Sequence, residues 1–76
     1  MTEDGIGDRI RMARKSAGLT QEALAQAVGV RAQMIYRYER HGTIPTAVGA
    51  DRLARACGVS VGWLITGEGE APREAA

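Results

Sequence analysis

Gln33 and Arg37 stand four residues apart, with Arg31, Ala32 and Tyr36 beside them. A side-chain amide and a guanidinium each present two hydrogen-bonding groups in one plane. They match planar, two-pronged partners, and nucleobase edges are such partners. Glutamine can grip adenine, arginine can grip guanine, and an alanine methyl can rest on the methyl group of thymine. Arg31 has the reach for a base or a phosphate. Residues at i and i+4 are neighbours on one face of a helix. This chemistry therefore needs a helix over about residues 31–40. It must turn 31, 32, 33, 36 and 37 outward or to its flanks, and bury Ile35 and Tyr38.

Other chemistries lack their parts. Cys57 is the single cysteine, so no internal disulfide can form. It reads as a small apolar residue on the buried face of a helix. A nucleophile there would need a base, and the one histidine, His41, falls in an expected loop. There is no metal-ligand cluster, no paired-carboxylate motif and no glycine-rich phosphate loop. The reading is a protein that is not an enzyme, with no cofactor, no metal and no evident small-molecule ligand. No stretch approaches the ~18 apolar residues of a membrane span, and the N-terminus is acidic rather than signal-like. A soluble, cytoplasmic protein without a membrane partner is expected.

Net charge is +1, but the charge is not spread evenly. Residues 9–41 hold seven basic groups (Arg9, Arg11, Arg14, Lys15, Arg31, Arg37 and Arg40) against Glu22 and Glu39, a local balance of +5. Residues 60–76 hold Arg73 against Glu68, Glu70 and Glu74, a balance of −2. Charge alone fits a solvated basic face equally well. Its coincidence with the two-pronged residues favours phosphate binding.

The elements that must position these residues follow from apolar spacing. A chain of 76 residues makes one small domain. Helix formers dominate and no run of β-branched residues occurs, so an all-α fold of five helices is predicted. The first helix opens at Gly7 or Asp8 and runs to about Ser16. Ile6, Ile10, Ala13 and Ala17 face its core, and Arg9, Arg11 and Lys15 face out. Gly18 ends it and Leu19 drops into the core. Thr20 caps the second helix, which buries Leu24, Ala25 and Val28. Gly29 supplies a left-handed turn, and Val30 is expected to dip into the core. The third helix runs from about Arg31 to Arg40. His41 to Pro45 form a loop. The fourth helix, about Thr46 to Cys57, buries Ala50, Leu53, Ala54 and Cys57. Gly58 ends it. Ser60 caps a short fifth helix, about Val61 to Thr66. Residues 1–67 make the domain. Residues 1–5 are expected to fray, and residues 68–76, EGEAPREAA, form a disordered polar tail.

Two helices joined by a tight Gly-containing turn form a helix-turn-helix. Thr20-Gln21-Glu22, Leu24-Ala25, Val28-Gly29-Val30, Ile35 and Tyr38-Glu39 resemble the lambda-repressor/Cro-like (XRE) family of DNA-binding proteins. So do the flanks: Arg9-Ile10-Arg11, Gly18-Leu19, Gly42, Pro45, Leu53-Ala54, Gly58-Val59-Ser60 and Trp63-Leu64. The resemblance covers about residues 6–67. It departs at Met34 and Tyr36, where family members commonly carry small polar residues, and at Ala50, often larger.

The resemblance implies a sequence-specific transcription regulator of double-stranded DNA, acting as a repressor by occlusion. Arg31, Ala32, Gln33, Tyr36 and Arg37 would read bases. Gln21, Arg11, Arg40, His41 and Thr43 would hold phosphates. Arg14 and Glu39 would form a buried or half-buried ion pair tying the first helix to the end of the third. Val61, Trp63 and Ile65 would make the contact of a homodimer on an inverted-repeat operator, with Trp63 alternatively capping the core. Antitoxins and restriction-modification control proteins look similar. A protein-interaction module of the same fold without DNA binding is a further alternative, against which the +5 balance argues.

Overall fold

Among residues 5–72, those the computed structural model describes, the chain forms five helices and no strand. They are α1 (Ile6–Ser16), α2 (Gln21–Val28), α3 (Ala32–Arg40), α4 (Ala47–Cys57) and α5 (Val61–Thr66). Three hydroxyl side chains start helices by accepting an otherwise orphaned amide. Thr20 Oγ1 accepts from Ala23 N at 3.0 Å, Thr46 Oγ1 from Gly49 N at 3.1 Å, and Ser60 Oγ from Trp63 N at 2.9 Å. Each such cap contributes about 1 kcal/mol. Thr46 is thus the cap of α4 and not its first residue.

The break between α2 and α3 is made by Gly29, whose φ of 78° lies in the left-handed region. A side chain there would be strained whatever space surrounded it. Val30 N then donates back to Ala25 O at 3.0 Å, which closes the turn.

The core is aliphatic. Ile10, Leu24, Ile35, Leu53 and Leu64 are its largest fully buried members, joined by Ala13, Ala25, Val28, Ala54, Cys57 and Trp63. Helix α2 packs on α3 and α4, while α1 spans α3, α4 and α5. Small residues set how closely these helices approach. A Cβ on Gly7 would stand 2.5 Å from Tyr38 O and 3.1 Å from Glu39 O. The start of α1 therefore touches the end of α3 backbone to backbone. Ala50 is buried, and Pro45 is buried beside the same turn, close to Gly49.

Three sequence expectations change. Ala17 is exposed, because α1 ends at Ser16 and the apolar face ends with it. Val30 is 37% exposed and does not enter the core. Its backbone closes the turn and leaves the side chain at the rim. Arg9 was expected to face out but is buried. Its Nε donates to Leu64 O at 2.9 Å and its Nη2 to Ile65 O at 2.7 Å. These are carbonyls at the C-terminal end of α5, where a cation is favoured. Of the expected tail, residues 68–71 are exposed and Pro72 is half-buried. The expectation for residues 73–76, like that for residues 1–4, falls outside the described residues.

Candidate nucleic-acid interface

Helix α3 divides sharply into two faces. Ile35 is fully buried, Tyr38 packs against the core, and Ala32 also packs against it. Arg31, Gln33, Tyr36 and Arg37 are exposed on the other side. Ala32 is half-buried, so its methyl is committed inward more than the sequence reading had it. Gln33 and Arg37 share one row at i and i+4. Among the described residues neither is hydrogen-bonded to another side chain or to backbone through its side chain. Their two-pronged groups remain available to an outside partner.

Tyr36 and His41 meet edge to face, with ring centroids 5.3 Å apart and planes at 65°. This contact braces the outer face of α3 near its C-terminal end. His41 N and Thr43 N both reach back to Arg37 O, at 2.9 and 3.4 Å. Exposed Arg40 thus ends α3, and exposed His41 and Thr43 follow directly on it. Arg11 is exposed on α1. Gln21 is half-buried at the start of α2, and its Nε2 donates to Glu39 Oε1 at 3.2 Å.

That bond belongs to a larger brace under the interface. Arg14 Nε donates to Glu39 Oε2 at 2.7 Å and Nη2 to Glu39 Oε1 at 3.0 Å, a two-pronged pair. Arg14 Nη1 also donates to Leu19 O at 3.0 Å. Side-chain exposure is 12% for Arg14 and 2% for Glu39. The network joins α1, the loop before α2, the first residue of α2 and the end of α3. It fixes the angle at which α3 is presented.

Trp63 is 4% exposed and belongs to the core. The apolar surface of α5 is left to Val61 and Ile65, 37% and 45% exposed. Two further apolar side chains, Ile44 and Val48, are exposed beside the start of α4. No periodicity marks Ile44, which sits in a loop, so sequence reasoning passed over it. For Arg9 a signal existed. It stands three residues after Ile6 and four before Ala13, at the edge of the buried stripe of α1. Among the described residues no helix is long and apolar enough to cross a membrane. Nor does any group of three or more His, Cys, Asp or Glu among them stand ready to hold a metal ion.

The helix-turn-helix family model matches residues 10–64. The chain belongs to the lambda-repressor/Cro-like (XRE) helix-turn-helix family. This family is one of transcription regulators and not of enzymes. Among curated relatives, the chain is 49% identical over 49 residues to an uncharacterized HTH-type transcriptional regulator of Methanothermobacter thermautotrophicus. That match covers 64% of this chain and 71% of the relative. Among solved structures, it is similar to the P22 c2 repressor in complex with a synthetic operator, at 33% identity and a TM-score of 0.81. There 87% of this chain and 100% of the repressor chain are covered. It is also similar to the restriction-modification controller protein C.AhdI from Aeromonas hydrophila. Identity is 30% and the TM-score 0.73, with 79% of this chain and 91% of that one covered.

Proposed function

We propose that this XRE-family chain is a cytoplasmic, sequence-specific DNA-binding repressor that binds an inverted-repeat operator as a homodimer. The observation that carries the reading is the outward row of Gln33 and Arg37 on α3, with Arg31 and Tyr36 beside it. A helix lying in the major groove reads bases through such a row. Gln33 pairs with adenine and Arg37 with guanine, while Arg31 and Tyr36 contact the flanks. Arg11, Arg40, His41 and Thr43 hold the backbone phosphates on either side, and these contacts set register without reading sequence. Gln21 serves less as a direct clamp than as a brace, because its amide is engaged with Glu39.

One short reading helix touches too few base pairs to pick one operator out of a genome. A twofold dimer doubles the readout and sets two helices about one DNA turn apart, roughly 34 Å. Exposed Val61 and Ile65 on α5 support a small isologous contact. Trp63 contributes from behind, by fixing α5 on the core. Likeness to C.AhdI favours a controller protein as a second reading within the same class.

Selection of bound sites from random duplex DNA tests the proposal, followed by ultracentrifugation with the selected site. The expected result is an inverted repeat that saturates with two chains. Failure to enrich any sequence would overturn the DNA-binding reading. A non-palindromic site holding one chain would overturn the dimer alone.

A further inference from the structure

The outer face of α3 carries an apolar notch that the sequence does not announce. Val30 was expected inside, yet it stands 37% exposed at the turn before α3. Met34 is half-buried one helical turn further on. Together with Arg31, Gln33 and Arg37 they line one shallow concavity. Val30, Met34 and Arg37 form a row at i, i+4 and i+7 beside the row of Gln33 and Arg37. The two rows meet at Arg37. A cation thus stands at each side of the notch, and an amide beside it.

This surroundings selects the occupant. A free apolar ligand would gain nothing from two flanking arginines, and among the described residues these side chains have no acidic partner. A nucleic acid supplies both parts: negative phosphates and base edges for the polar rim, and one small apolar group for the floor. In the major groove that group is the C5-methyl of a pyrimidine. Ala32 was the sequence-level candidate for this contact, but it packs against the core.

We propose that Val30 and Met34 form a receptor for a pyrimidine C5-methyl group next to the base pair read by Arg37. The inference rests on the DNA-binding reading and adds a specificity element to it. The receptor takes the methyl of thymine. It takes the methyl of 5-methylcytosine equally, since the apolar floor touches only the group that these two bases share. Cytosine methylation at that step therefore strengthens binding, whereas a steric reader would be blocked by it.

The test uses fluorescence anisotropy on the selected site, at one fixed salt concentration. Each thymine in turn is replaced by deoxyuridine, which removes the C5-methyl and nothing else. One position per half-site should weaken binding about fourfold, the worth of one buried methyl group. Replacing that thymine by cytosine weakens binding, and 5-methylcytosine at the same place should bind about fourfold tighter than cytosine. In Val30→Ala and Met34→Ala both preferences should fall toward one, while discrimination at the Arg37 position is kept. The Trp63 fluorescence of each variant verifies that it is folded. Indifference to deoxyuridine at every position would overturn the receptor, as would a methyl preference that survives both substitutions. A methyl preference lost in Ala32→Gly but kept in the other two variants would return the role to Ala32. If no site is selected at all, the DNA-binding reading fails and not this element of it.

Discussion

Removing Arg14 is the sharpest test of how α3 is held. Its guanidinium makes a two-pronged pair with Glu39 and a third bond to Leu19 O. Glu39 is the more buried partner, at 2% side-chain exposure against 12%. The two single substitutions should therefore differ. Arg14→Met strands a carboxylate that keeps only the Gln21 amide at 3.2 Å. Breaking a buried pair from one side costs about 3–5 kcal/mol, and the remaining amide places this case at the lower end, near 3 kcal/mol. Glu39→Gln leaves Arg14 with Leu19 O, some water and a neutral amide oxygen, so about 2 kcal/mol is expected. The double variant should lose about 3 kcal/mol, which gives a coupling near 2 kcal/mol. A domain of this size holds roughly 4–11 kcal/mol in all, so the loss is large but survivable. Urea unfolding followed by Trp63 fluorescence measures it, because Trp63 is the one tryptophan and is buried. Additive losses, with coupling under about 0.3 kcal/mol, would refute the reasoning. The two charges would then be held by solvent and local backbone.

Arg37→Ala and Gln33→Ala should each weaken operator binding by about 1–3 kcal/mol and relax preference at one position per half-site, whereas Arg40→Ala should weaken all sequences alike and reduce the salt slope by about one. Equal losses on operator and random DNA in Arg37→Ala would make Arg37 a phosphate contact. Gly7→Ala should destabilise by about 1–3 kcal/mol, since its Cβ would meet Tyr38 O at 2.5 Å and α1 must shift from α3; an unchanged urea midpoint would show that the close approach is not needed. Burial pushes the Cys57 thiol above its ordinary value of 9.0, with the Arg14 charge opposing and the Glu39 charge adding. A raised value in the folded state means that stability is intact below pH 9.0 and lost as pH rises beyond it. Cys57→Ala should remove that part of the alkaline decline, as urea midpoints at pH 8 and 10 would reveal.

The helices and their ends were legible because their causes are local. Thr20 and Ser60 are side-chain caps wherever such a helix begins, and Gly29 and Gly58 turn left-handed at no steric cost. The apolar stripes of α2 and α4 are read from spacing, and burial of Leu24, Leu53 and Ala54 follows it. Arg14 and Glu39 were paired through a family resemblance, since nothing in a 25-residue separation announces contact. Their 2.7 Å approach and the third partner Gln21 appear only when α1, α2 and α3 are packed.

The chain's own letters determine an all-helical domain and an outward row of Gln33 and Arg37, because periodicity and capping act within a few residues. Tertiary structure alone decided which side of a border residue faces water. Arg9 turns inward because the carbonyls of Leu64 and Ile65 arrive beside it from the far end of the chain. Val30 turns outward because the Gly29 turn is closed by its backbone, leaving its side chain at the rim of α3. Trp63 joins the core because α5 lies across α1 and α4. For Arg9 and Trp63 the deciding partner is distant in sequence: the spacing of α1 puts Arg9 at the edge of its buried stripe but cannot supply the α5 carbonyls that draw it inward.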